Sequence, residues 1–263
     1  MEQKGMSVRV RALLAATLLL ATSCTTDSAG APPPVAGGPQ TEIASAGGAV
    51  PADRWRAVLI AGDNNSPAFD NGVEAMRDKL AERGVRNIRA LTSDPVASPS
   101  LEVATAGNVS SALRSSGGEA CLVFITSHGD ESGVVLRAAK GMVQPSTLGS
   151  ALDAGCGKRP TVVIVSACHS GVFLTPAMRQ PNRVVLTAAA SARASFGCGA
   201  GDQYTYYDQC LLQQFDGAAT WRELAAATRS CVESLERRMG VKPPSQPQIF
   251  IGAAVTDLRI PGR

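Results

Sequence analysis

The chain has 263 residues, with 25 Lys and Arg against 22 Asp and Glu, a formal net charge of +3 and only 4% aromatic residues. A weak charge without long Lys/Arg runs, together with few aromatics, provides neither a phosphate-tracking groove nor a base-stacking platform, so no nucleic-acid partner is expected. Seven cysteines without a CxxC pair, and only two histidines, His128 and His169, leave no compact ligand set, so no metal and no cofactor is expected.

At the N-terminus, Arg9 and Arg11 precede an apolar run over residues 12–21. That run is too short to span a bilayer but suits the core of a signal peptide. It ends in Ala21-Thr22-Ser23-Cys24, which resembles a bacterial lipoprotein cleavage box, with Ala21 where that pattern prefers Leu. The expectation is that residues 1–23 are removed on export and that Cys24 is lipidated, holding the protein to a membrane on the periplasmic or outer side. An ordinary secretory signal cut at A-x-S is the alternative. Residues 24–53 are rich in Ala, Gly, Pro, Ser and Thr and contain Pro32-Pro33-Pro34, which marks a disordered tether. No later apolar run approaches membrane-spanning length, so attachment is expected through lipid alone.

From Arg54 to Arg263, apolar runs bounded by turn residues alternate with amphipathic stretches, the pattern of one α/β domain with a mostly parallel sheet. Ala57-Val58-Leu59-Ile60 is the first strand. Residues 72–83 place Val73, Met76 and Leu80 at helical spacing, and Gly84 ends that helix. Ile88 to Leu91 is a short strand and residues 107–115 a helix. The run Cys121-Leu122-Val123-Phe124-Ile125-Thr126 is too apolar for a sheet edge and reads as a central strand, with Cys121 an inert buried residue. Val134 to Leu136 and Met142-Val143 suit a small hairpin, and Pro145 to Ala154 a helix opened by proline. Thr161 to Val165 is a second central strand and Val184 to Thr187 a further parallel one. Residues 204–215 and 219–239 are helical, and Ile249 to Ile251 is the last strand.

Two of the central strands run into small polar turns, Ser127-His128-Gly129-Asp130 and Ser166-Ala167-Cys168-His169-Ser170-Gly171. Ligands of open α/β sheets bind at the carboxyl ends of strands, where both turns fall. A thiol there, just before a helix, would gain thiolate character from the helix dipole and a neighbouring imidazole. Gly129 and Gly171 would bare backbone N–H groups at close range, as an oxyanion hole requires. Consecutive residues point in different directions, so His128 rather than His169 is the candidate base. His128 as a plain turn residue is the alternative.

A strand ending in Ser-His-Gly-Asp, followed by one ending in Ser-Ala-Cys-x-Ser-Gly, resembles the legumain-type cysteine peptidases of the caspase-like fold. The resemblance runs from Trp55 to Phe215 and takes in Thr187-Ala188-Ala189, Arg193-Ala194-Ser195 and Gly201-Asp202. It implies a caspase-like three-layer αβα sandwich with a mostly parallel central sheet of about six strands. It also implies that Cys168 attacks a peptide carbonyl, that His128 relays the proton, and that the Gly129 and Cys168 amides bind the oxyanion. A third polar group near the end of the first strand should orient the histidine. Asn71, just before the first helix, is preferred over Asn64, which can equally be a turn former. Legumains carry an arginine in this region as part of an Asn-selective pocket, and this sequence shows Asp70 instead. With Ser195 and Asp202, Asp70 implies an acidic pocket for a basic side chain rather than strict Asn specificity.

The substrate class implied is a peptide or protein, and the activity that of an endopeptidase. A transpeptidase would use the same residues, with an amine intercepting the acyl-enzyme. A non-catalytic surface lipoprotein that keeps the fold for binding is the third reading. Cys156, Cys198, Cys210 and Cys231 leave disulfides open in an exported protein, Cys210 with Cys231 among them, without fixing a pairing.

Overall fold

The computed structural model describes residues 49–263. The expected signal peptide, the lipidation site Cys24 and the tether as far as residue 48 lie outside the described residues. The described elements alternate in chain order. They are β1 (Trp55–Ala61), α1 (Pro67–Glu82), β2 (Asn87–Thr92), β3 (Glu102–Val103), α2 (Ala106–Arg114), β4 (Ala120–Thr126), β5 (Gly129–Asp130), β6 (Gly133–Leu136) and β7 (Gly141–Val143), then α3 (Pro145–Gly155), β8 (Thr161–Ser166), β9 (Arg183–Thr187), α4 (Tyr206–Gln214), α5 (Trp221–Met239) and β10 (Gln248–Ile251).

Seven of these strands make one sheet in the order β10-β9-β8-β4-β1-β2-β3. All neighbours run parallel except β10, which pairs antiparallel with β9 at one edge. The count exceeds the six expected because the two-residue strand β3 extends the other edge; two residues carry no periodicity to read. β1, β4, β8 and β9 are buried at every position, as strands covered on both faces must be.

Alternation along the strands divides the core. Leu122, Phe124, Val162 and Ile164 face α1, α4 and α5, whereas Val123, Ile125, Val163 and Val165 face α2 and α3. The result is the three-layer αβα sandwich. In α1, Phe69, Val73, Met76 and Leu80 recur on one face and are all buried. Each contributes about 1.5–3 kcal/mol relative to exposure.

Helix α1 begins at Pro67, more than a turn before the expected residue 72. The Ser66 hydroxyl accepts a hydrogen bond from the Ala68 amide (3.2 Å), and proline occupies the first turn. Asp70 and Asn71 therefore lie inside the helix, not ahead of it. Helix α5 is capped by Thr220, which accepts from Glu223 N, while Glu223 accepts from Ala219 N and Gly240 closes the other end in a left-handed conformation.

The small sheet β5-β6-β7 is antiparallel and follows directly on His128. It is stitched to the strand ends: Val135 N donates to His128 O, Ser127 Oγ to Val135 O, and Arg137 N to Gly62 O. A Cβ on Gly62 would stand 2.3 Å from Val135 O, so only glycine allows this approach. Two disulfides brace the layers. Cys210–Cys231 joins α4 to α5, and Cys121–Cys156 joins β4 to the end of α3, so Cys121 is buried but not unpaired as expected. Among the described residues, Cys168 and Cys198 are the free cysteines, and no helix is long and apolar enough to cross a membrane.

Candidate active site

β4 and β8 are neighbours in the sheet, and their last residues, Thr126 and Ser166, are register partners. Ser127 N donates to Ser166 O (3.1 Å), extending the ladder by one bond. Two residues beyond the paired ends come His128 and Cys168. Both line one cleft of about 10 Å³, with Phe69, Ser195, Cys198 and Thr205 around them. That is room for about one water molecule.

The imidazole of His128 is held edge-to-face against Phe69 of α1, ring centroids 5.1 Å apart. A Cβ on Gly129 would lie 2.7 Å from Cys168 O and 3.0 Å from Ala167 Cβ, so the two turns touch backbone to backbone through the missing side chain. The Cys168 thiol lies against the backbone of Ser195. Ser195 N donates to Sγ (3.2 Å), and Sγ–H reaches Ser195 O (3.4 Å). The helix expected after Cys168 is absent. His169 takes a left-handed conformation (φ 56°), a four-residue 3-10 turn over Ser170–Phe173 follows, and Pro176 lies just beyond. The polarity at the sulfur thus comes from the Ser195 amide rather than from a helix terminus. His169 itself is bonded through Nδ1 to Ser191 O (2.8 Å), away from the thiol's partners.

The other residues singled out from the sequence are not brought to the cleft. Asn71 donates from its side chain to Gln203 O (2.9 Å) on the outer side of α1, and Asn64 is exposed in the loop after β1. Asp70 is buried and accepts from Thr92 Oγ1 (2.5 Å) at the end of β2, on the far side of β1 from β4. Burial pushes its carboxyl up to about 6, with Asp94 and Glu74 adding to the effect against the Thr92 hydrogen bond. Asp202 accepts from Gly199 N (2.8 Å), in the same loop as Ser195. Its charge is felt at Cys198, whose thiol is pushed up by burial, by Cys168 and by Asp202.

Two carboxylates that sequence reading passed over are placed behind the cleft. Asp63, on the first turn after β1, is 1% exposed and is clasped by Arg137 through Nε (2.5 Å) and NH2 (2.9 Å), with Asn65 N donating as well. Burial raises its carboxyl, but Arg137, Asn65 and the nearby His128 outweigh this and hold it below the usual range. Asp208, in the first turn of α4, is wholly buried and accepts from Thr126 Oγ1 (2.6 Å). Its only sequence signal is Thr205-x-x-Asp208, a helix-start pattern.

Larger grooves of about 520 Å³ beside Lys79 and Asp216, and about 530 Å³ beside Arg237 and Lys242, exist elsewhere. Neither contains a thiol or an imidazole, so chemistry rather than size places the site. Among the described residues, no group of three His, Cys, Asp or Glu side chains is arranged to hold a metal ion.

Residues 101–236, just over half of the chain, match the peptidase C13 family, and the match spans both strand-end turns. The chain belongs to the peptidase C13 family. Caspase-1 from Spodoptera frugiperda, a solved structure, is similar at a TM-score of 0.53 with 13% identity, over 75% of this chain and 86% of that one. At that identity the likeness speaks for the fold. No curated protein matches the chain. The C13 family and the seven-stranded sandwich agree with the legumain-type resemblance read from the strand-end motifs: this is a cysteine peptidase with the caspase-like fold.

Proposed function

We propose that this C13 peptidase is an endopeptidase whose nucleophile is Cys168 and whose proton relay is His128. The observation that carries the reading is that the two residues reach one cleft from the register-paired ends of adjacent strands. His128 takes the proton of the Cys168 thiol, the thiolate adds to the scissile carbonyl carbon, and the oxyanion is taken up by the Gly129 and Cys168 amides. His128 then delivers its proton to the amide nitrogen as the C–N bond breaks, leaving a thioester. Water attacks the thioester while His128 takes its proton, the C–S bond breaks, and the acid product leaves with the thiol restored. Phe69 fixes the plane of the imidazole. Asn71, committed to Gln203 O, has no part in this scheme.

With the Ser195 backbone seated against Cys168 Sγ, a peptide that reaches the thiol would displace that contact. The same loop carries Asp202, which lies outside the cleft and would have to move with the loop to give an incoming side chain an acidic neighbour. The preferred substrates are thus peptides with Lys or Arg before the cut. Export and a lipid anchor at Cys24 belong to the same proposal; the two disulfides support an oxidising compartment.

The test is a peptide panel varied at the residue before the cut, with the wild type, Cys168→Ala and His128→Ala. Wild type should cleave after basic residues, and either variant should lose activity by about 10³-fold or more. The reading fails if the wild type cleaves no peptide and Cys168 is alkylated no faster than a free thiol. Incorporation of labelled palmitate into the full chain, lost in Cys24→Ala, tests the anchor.

A further inference from the structure

We propose that Asp208 is a positioning residue that holds the ends of β4 and β8 in the relation that brings His128 to Cys168. The proposal rests on the endopeptidase reading for its consequence in catalysis, but on contacts of its own for its geometry. Thr126 and Ser166 form the last paired rung between the two strands, and each is tied to the start of α4. Thr126 donates from Oγ1 to Asp208 Oδ2 (2.6 Å). Ser166 shares a hydrogen bond with the Thr205 hydroxyl (3.3 Å), and Thr205 Oγ1 accepts from Asp208 N (3.0 Å) as the cap of α4. One helix start therefore grips both members of the rung, and two residues further along each strand stands one of the two reactive side chains.

The surroundings are built to admit the carboxylate. On α1, Gly72 faces it, and a Cβ there would come 3.1 Å from Asp208 Oδ2. Thr205 is at once the cap and part of the cleft wall, so the grip reaches the site directly. Asp208 is wholly buried and its Oδ1 has no hydrogen-bond partner. A half-satisfied buried carboxylate is an expensive way to fill space, where an apolar side chain would serve packing better. What it supplies, and an apolar residue would not, is an acceptor for Thr126. A side-chain acceptor at that rung fixes the direction in which β4 leaves the sheet. A small rotation there displaces His128 from the thiol, and misplacement by about 1 Å costs on the order of 10²-fold in rate.

The experiment compares wild type, Asp208→Asn, Asp208→Ala and Thr126→Val in the purified protein, with two readouts. One is kcat and KM on a cleaved peptide. The other is the rate at which iodoacetamide modifies Cys168, followed by mass spectrometry of its peptide across pH, which needs no peptidase activity. Asp208→Ala and Thr126→Val should lower kcat by about tenfold or more with KM changed less than about twofold, and should slow Cys168 alkylation. Asp208→Asn keeps an oxygen acceptor for Thr126 and should recover most of the loss. Folded Asp208→Ala with wild-type kcat and alkylation overturns the proposal, as does Asp208→Asn failing as badly as Asp208→Ala. Should Asp208→Ala not fold, Thr126→Val, which deletes one hydroxyl, decides by the same criteria. If wild type cleaves nothing, the endopeptidase reading falls, and the alkylation rates still decide whether Asp208 positions the thiol's surroundings.

Discussion

Replacing Asp208 by asparagine should alter the pH dependence of stability in a direction opposite to that of a surface carboxylate. Asp208 is wholly buried; burial pushes its carboxyl up, and hydrogen bonding, that from Thr126 first, returns only part of the shift, leaving it at about 6 against an ordinary 3.8. A carboxyl whose folded pKa is raised binds its proton more tightly folded than unfolded. Its contribution is therefore most favourable below the unfolded pKa and is lost as pH rises through the folded one. At about 1.36 kcal/mol for each tenfold change in proton affinity, the loss between pH 4 and pH 7 is about 2 kcal/mol. Asp70 follows the same direction, so the informative quantity is the difference between wild type and Asp208→Asn, in which Asp70 cancels. Asparagine keeps an acceptor for Thr126 and places an unpaired NH2 opposite Oδ1, an offset that does not vary with pH. Urea unfolding of both proteins from about pH 4 to pH 8 supplies the comparison. Wild type should lose stability relative to the variant as pH rises. A difference that is flat across that range, or that grows in favour of wild type, would refute the account of Asp208 as a desolvated carboxyl.

Gly129→Ala forces a methyl to 2.7 Å from Cys168 O and 3.0 Å from Gly133 O, so the two turns must separate. kcat should fall by about 10²-fold with a lowered melting temperature, and a fully active variant would show that the turns do not need to touch. Arg137→Met strips the buried Asp63 of its guanidinium. Stability at pH 7 should fall, because the buried carboxylate is left without its cation. Since Arg137 holds the Asp63 carboxyl below its usual range, that gap should close as pH falls through the ordinary carboxylate region, as urea titrations at each pH would record. Alkylation under denaturing, non-reducing conditions should label Cys168 and Cys198 and leave Cys121, Cys156, Cys210 and Cys231 for labelling after reduction. In the native protein Cys198 should react the more slowly of the two, because burial pushes its thiol up.

The shared position of His128 and Cys168 is legible in the sequence because each follows an unbroken apolar run, and such runs become adjacent central strands whose ends share one edge. His128 and Cys168 needed nothing from elsewhere in the chain to be noticed. The residues that hold them needed a great deal. Asp63 acquires its role from Arg137, and Asp208 from Thr126, and partners that far apart in sequence leave no local pattern. Apolar spacing is regular only from Val73 onward and so puts the start of α1 too late, although Ser66-Pro67 carries the cap and the proline of a first turn. That error placed Asn71 ahead of a helix and made it a candidate partner for His128. The chain after Cys168 resembles a strand-to-helix junction until Pro176, which leaves room only for a single tight turn. β3 escaped notice because it owes its existence to the edge of β2 rather than to its own two residues.

The grip of α4 on the rung between β4 and β8 also bears on the order in which the chain is made. Synthesis from the N-terminus delivers His128 and Cys168 before it delivers Thr205 and Asp208, and the bond from Thr126 to Asp208 spans 82 residues. An unfinished chain that already holds both candidate side chains therefore lacks the element proposed to set them against each other. If the proposed roles hold, competence arrives late in translation, and products ending before α4 should not cleave peptides.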